Sequence, residues 1–205
     1  CKKLLAEFDV HVAAHVQQIG PIVADTGNIP SDKIHELSMN SEVRCADPVA
    51  AEKMYEVITE AKQKKDTLGG IVEVRAWGLP PGLGSHTQWD RKLDAKIARH
   101  MMSIQAVKGI DIGIGFQGAG RFGSEFHDEI ERTQETRAGS HYRHPTNGAG
   151  GTEGGMSTGE ELIVRVMKKP ISTLMNPLRT VNLDTKQPAL AVRERSDTVA
   201  VPALA

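Results

Sequence analysis

The sequence predicts an α+β fold, in which helices mix with hairpin-like strands instead of alternating with them strictly. Three observations carry that expectation. Between residues 99 and 116 a helical repeat passes through one charged turn into an alternating strand. Further alternating stretches lie toward both ends of the chain. Between residues 109 and 159 sit 13 of the 20 glycines, too many for regular core structure.

Residues 2–8 read as a helix. Val10, Val12, Ala14 and Val16 then alternate with His11, Ala13, His15 and Gln17, the pattern of a strand with one wet face. Asp47-Pro48 is a helix start, with Asp as N-cap and Pro at the first helical position. Met54, Val57, Ile58 and Ala61 give that helix its apolar face, and Gly69-Gly70 is expected to end it. Val72, Val74 and Ala76 alternate as a strand, and a Pro- and Gly-rich turn follows at residues 79–84. Leu93, Ile97, Met101 and Ile104 recur at four- and three-residue steps, which places them on one helix face. Ile110, Ile112 and Ile114 alternate as a half-buried strand. Glycine at 113 and 115 lets a backbone or a flat ligand come close. The glycine-dense segment is expected to be loop, and so long a loop is usually functional or disordered. Strands return at residues 162–167, 180–183 and 189–192.

Composition narrows the function classes. The formal net charge is -1 without a long run of one sign, and aromatics are 4%. Neither a nucleic-acid partner nor a membrane is indicated. No apolar stretch is long enough to span a bilayer. Cys1 and Cys45 are too few for a disulfide framework, which favours a reducing compartment. Both ends look cut, so a single domain over 1–205, truncated at each end, is expected.

Several motifs have two readings. Gly113-Ile-Gly115-Phe-Gln-Gly118 fits a dinucleotide pattern, but a poor helix start follows it, and a glycine bend beside a backbone or ligand fits better. Gly155-Met-Ser157-Thr-Gly159 fits a nucleophile elbow, yet loop precedes this serine and strand follows it, the wrong order for a hydrolase. His11 and His15 share a strand face about 13 Å apart, too far to share a metal ion. Solvated or partner-facing histidines are the default there, and His141 and His144 read as polar loop residues. Arg195 and Asp197 are two apart on a strand: an exposed ion pair, or an anion-binding Arg beside a carboxylate that handles a proton. Spacing alone favours the ion pair. Lys169 at a strand end, followed by Ser172 and Thr173, could hold phosphate, though solvated lysines are commoner.

Taken together, many blocks in order resemble the chorismate synthase family over essentially the whole chain. They are Gly69-Gly-Ile-Val-Glu-Val74, Pro81-Gly-Leu-Gly84, Met101-Met-Ser-Ile-Gln-Ala-Val-Lys-Gly109, Gly123-Ser-Glu125 with Asp128-Glu129, Asn147-Gly-Ala-Gly-Gly151 with Gly154-Gly-Met-Ser157, Lys169-Pro-Ile-Ser-Thr173 and Arg195-Ser-Asp197. The resemblance implies a cytoplasmic lyase of aromatic amino acid biosynthesis in the shikimate pathway. It converts 5-enolpyruvylshikimate 3-phosphate to chorismate by anti-1,4-elimination of phosphate, with reduced FMN and no net redox change. It also implies a β-α-β sandwich, helices packed between antiparallel sheets, assembled as a homotetramer.

By the same resemblance, Gln105 and Ala106 match a pair that contacts FMN. Gly154 matches a glycine bordering the flavin, and Lys169, Pro170, Ile171, Ser172 and Thr173 match a flavin-binding strand end. Arg195 matches a basic residue at FMN and substrate, and Asp197 a carboxylate near the flavin that assists proton transfer. The family's two essential histidines and several substrate arginines belong to an N-terminal portion outside these residues, so the chain alone is expected to lack catalytic competence. The alternative is a non-catalytic flavin- or nucleotide-binding module, or an oligomerisation fragment, of the same fold.

Overall fold

A computed structural model describes residues 1–137, 140–193 and 198–204. In chain order it contains α1 (Lys2–Ala6), β1 (His11–Ile19), β2 (Ile22–Val23), α2 (Ser31–Met39), α3 (Pro48–Gln63), β3 (Gly70–Trp77), α4 (Leu93–Met102), β4 (Val107–Ile112), α5 (Gly123–Phe126), β5 (Glu131–Arg137), β6 (Ser140–Arg143), β7 (Thr152–Glu153), β8 (Met156–Ser157), β9 (Leu162–Lys168), β10 (Arg179–Val181) and β11 (Pro188–Leu190). Two 3₁₀ turns add Gly115–Gly120 and Val201–Leu204. The arrangement is α+β, as the mixed pattern predicts.

One antiparallel sheet, in the order β2-β1-β3-β9-β4, organises the described residues, and the other strands pair only as two-stranded hairpins. Its register explains its two faces, because residues directly opposite one another share a face. Val16, Val72, Val166 and Ile110 form one row, and Ala14, Val74, Val164 and Ile112 the next. On the other face His15, Glu73, Arg165 and Asp111 line up across four strands. A bulge between Val16 and Gln18 shifts the pairing, so Gln18 then faces Ile71. Two-residue periodicity thus separates an apolar from a charged face.

Helices close both sides. Met101 of α4 packs on Val72, Val107 and Val166 of the apolar face. Ile34 of α2 buries against Ala13 and Ala46 on the charged side. Ala50 and Met54 of α3 join Val16, Ile19 and Cys45 in the largest cluster. Asp47 caps α3 as expected, accepting from the Val49 and Ala50 N–H groups at 2.9 and 3.2 Å. The helix ends at Gln63, however, and the chain leaves it through Lys65 at φ 58°. Gly69 and Gly70 do not stop this helix. Gly70 begins β3, where a Cβ would stand 2.0 Å from the Gln18 carbonyl oxygen.

Three further expectations change. α4 ends at Met102, which leaves Ile104 outside it and 45% exposed. The turn into β4, Ser103 to Ala106, carries no charged residue, since Lys108 already lies in the strand. The glycine-dense segment is not simply loop: it holds a 3₁₀ turn, α5 and the hairpins β5–β6 and β7–β8. Glycine acts there as a turn former. Gly154 and Gly155, at φ 57° and 87°, supply the left-handed pair that a two-residue hairpin requires.

Candidate functional site

The end of the sheet where β4 begins and β9 stops brings together two of the segments singled out in the sequence. Ala106 is left-handed at φ 68°, which turns the chain sharply out of α4 and into β4. Its carbonyl then accepts from the Lys169 N–H at 2.9 Å, beside the Val107–Lys168 pair. Pro170 has no N–H to continue the ladder, so β9 stops before it. Gly69 accommodates the departing chain: a Cβ there would lie 2.7 Å from the Lys168 carbonyl oxygen and 3.0 Å from the Pro170 ring. Gln105, Lys169, Pro170 and Ser172 are exposed, and Ala106, Ile171 and Thr173 half-buried.

Gly154 lies elsewhere. It tips the β7–β8 hairpin, whose Gly155 carbonyl accepts from Leu93 N–H, 2.8 Å away, at the opposite end of α4. Ten residues of helix separate the two ends, about 15 Å. Arg195 and Asp197 lie outside the described residues. The donor set at the Ala106–Lys169 junction suits a phosphate-bearing, planar cofactor: a lysine in no ion pair among the described residues, two hydroxyls and flanking backbone. The residues present fit FMN in that respect.

A second concentration of charge has no local signature in the sequence. Glu73 is 1% exposed at the centre of the sheet. Its Oε1 accepts from Arg75 Nε at 2.7 Å and lies 3.2 Å from His15 Nε2, while Oε2 accepts from Arg165 Nε at 2.7 Å. Burial alone would raise the carboxyl's pKa. The His15 hydrogen bond and the charges of Arg75 and Arg165 outweigh it and hold Glu73 at about 2. Arg75 goes on to donate to the Thr26 and Ile29 carbonyls at 2.9 and 3.0 Å, and Arg165 to the Gly113 carbonyl. Two loops are thereby fixed over a cavity of about 460 Å³ that Glu73, Arg75 and Arg165 help to line.

His15 is therefore not solvated as expected; its partner Glu73, 58 positions away, keeps it in the interior. His11 is exposed and stacks on Trp77, with ring centroids 5.5 Å apart. Polar residues in three strands, β1, β3 and β9, are the only trace of this network in the sequence, and nothing local pairs His15 or Arg165 with Glu73.

The two motif decoys have structural roles. Gly113 is approached by backbone: a Cβ would stand 2.2 Å from the Gly148 carbonyl oxygen and 2.6 Å from Gly150 N. The following segment is a 3₁₀ turn capped by Asp111, which accepts from Phe116 N–H at 3.1 Å, so no helix N-terminus faces a pyrophosphate. Ser157 is 5% exposed; it donates to the Pro80 carbonyl at 2.6 Å and accepts from Leu83 N–H at 2.9 Å. This serine clamps a turn and is no nucleophile. Asp128, from one of the quoted blocks, accepts from the Gly148 and Ala149 N–H groups at 2.7 and 2.9 Å and from the Thr146 hydroxyl. Desolvation opposes its ionisation, but those bonds prevail and lower its pKa. Among the described residues no group of histidines, cysteines and carboxylates could hold a metal ion, and no helix is long and apolar enough to cross a membrane.

Comparison with known proteins agrees with the blocks quoted above. The family model described as chorismate synthase matches residues 1–205. A chorismate synthase of Symbiobacterium thermophilum is 51% identical over 205 residues, covering 100% of this chain and 51% of that protein. One of Enterococcus faecalis is 51% identical over 203 residues, covering 98% of this chain and 51% of that protein. A crystal structure of chorismate synthase superimposes with a TM-score of 0.77 at 43% identity, covering 84% of this chain and 53% of the other. The chain spans about half the length of the curated relatives it matches. Since the family model covers every residue and these relatives share half of them in sequence, the chain belongs to the chorismate synthase family.

Proposed function

We propose that this chain forms part of an active chorismate synthase, a cytoplasmic homotetramer that eliminates phosphate from 5-enolpyruvylshikimate 3-phosphate to give chorismate. The observation that carries the reading is the Lys169 N–H to Ala106 carbonyl bond of 2.9 Å, which joins two segments that the family resemblance assigns independently to FMN. Reduced FMN, when bound, would lend the substrate an electron and recover it, so the reaction shows no net redox change. The chain's own residues would do the rest. Gln105 and Ala106 would present one wall, and Gly154, where a Cβ would meet nothing within 4 Å, would border the flavin from the other end of α4. Lys169, Ser172 and Thr173 would bind phosphate, with Pro170 and Ile171 fixing the strand end that carries them. Arg195 would hold anionic groups of cofactor and substrate, and Asp197 would accept the proton lost as the phosphate departs with its bonding electrons.

The test uses the full-length protein encoded by the gene, supplied with reduced FMN and 5-enolpyruvylshikimate 3-phosphate, with chorismate followed by absorbance. Asp197→Asn is expected to slow elimination by roughly a hundredfold or more while FMN still binds. Arg195→Ala is expected to weaken cofactor and substrate binding with the fold intact. Normal turnover in both variants would refute the site assignment, and absence of chorismate with the unsubstituted protein would refute the function.

A further inference from the structure

Residues 169–178, between β9 and β10, have no regular structure, yet three hydrogen bonds hold them at separated points. Lys169 N–H is anchored on Ala106 O. The Thr67 hydroxyl reaches across 104 positions and donates to the Ile171 carbonyl at 2.8 Å. Asn176 Nδ2 donates to the Lys64 carbonyl at 3.1 Å. Between the second and third pins lie Ser172 and Thr173, whose hydroxyls make no hydrogen bond among the described residues. The result is a strap tied at both ends, with its two hydroxyls left over.

Fixing irregular backbone costs conformational entropy at every residue that is ordered. A ligand that needed both hydroxyls in register would bear that cost for the whole strap unless the protein had already met it. Thr67 is suited to do so. It is half-buried between α3 and β3, outside the strap, and its bond goes to backbone, so it fixes the strap whatever side chains the strap carries. We propose that Thr67, assisted by Asn176, is a positioning residue that preorganises the segment from Lys169 to Thr173 for a phosphate-bearing cofactor. The inference rests on the cofactor reading given above and extends it to residues that do not touch the ligand.

The experiment compares Thr67→Val, which keeps the shape and removes the donor, with Thr67→Ser, which keeps the donor. Each full-length variant is titrated with FMN by fluorescence well below its unfolding temperature, and turnover is measured at saturating FMN. Amide hydrogen exchange is followed over residues 171–175. Thr67→Val is expected to raise the FMN Kd about five- to tenfold, the effect of one lost hydrogen bond. It should leave kcat at saturation within about twofold and speed exchange in the strap. Thr67→Ser should restore both the Kd and the exchange rate, and Asn176→Ala should shift them in the same direction by less. A purely structural hydroxyl would instead lower the unfolding temperature without moving the Kd. Unchanged affinity and exchange in Thr67→Val, or failure of serine to rescue, would overturn the proposal. If the unsubstituted protein bound no FMN, the cofactor reading would fall, and the exchange data would still decide whether Thr67 orders the strap.

Discussion

Two guanidinium groups and an imidazole converge at Glu73 on one carboxylate that has lost nearly all contact with water. The folded-state pKa of about 2 lies below the ordinary 4.5. The resulting stabilisation is therefore complete above pH 4.5, and it is lost as the pH falls toward 2. The interval corresponds to about 3 kcal/mol. Glu73→Gln should cost roughly 3–5 kcal/mol at neutral pH, because it leaves buried guanidinium charge uncompensated. It should also flatten the acid limb between pH 4.5 and 2. Urea unfolding of both proteins across that range checks the prediction, and parallel acid limbs would defeat it. The network is not legible in the sequence for a definite reason. His15, Glu73 and Arg165 are separated by 58 and 92 positions, and each sits between apolar neighbours as an outward-facing strand residue would. Register brings them together, and no single strand encodes register.

Legibility improves where the determining physics is local. The cap on α3 needs only Asp47 and the N–H groups two and three residues on, so Asp-Pro announces it. The end of α3 is harder to read, because Lys65 takes the left-handed conformation that Gly69 would have adopted more easily. The candidate site divides in the same way. The residues of the Ala106–Lys169 junction can be named from the family blocks, but their pairing depends on β4 and β9 becoming neighbours. Gly154 shows the converse, since the hairpin that carries it docks at the far end of α4. The glycines can be told apart experimentally. Gly113→Ala would drive a Cβ into backbone and should cost about 3 kcal/mol or more, whereas Gly154→Ala meets nothing and should cost about 1–2 kcal/mol for its positive φ. Thermal unfolding measures both, and equal losses would contradict the close backbone approach at Gly113.

For the molecule as a whole, period-two and period-3.6 patterns are enough to predict α+β, because each element's burial pattern is written in its own residues. Strand order is not predictable in that way, since it is a property of pairs. That order places β9 between β3 and β4, although β9 is made last of the three. During synthesis β3 can pair with β1 as soon as both have emerged, whereas β4 has no neighbour among the described strands until β9 arrives. Roughly 50 residues intervene between β4 and β9, which at ordinary translation rates is about 3–10 s. The nascent chain therefore carries a strand with one apolar face and unsatisfied edges through that interval. A chain ended just before β9 should aggregate or be degraded during expression, while one ended just after it should accumulate in soluble form. Completion of this sheet is set by the arrival of β9, the strand that joins β4 to the rest.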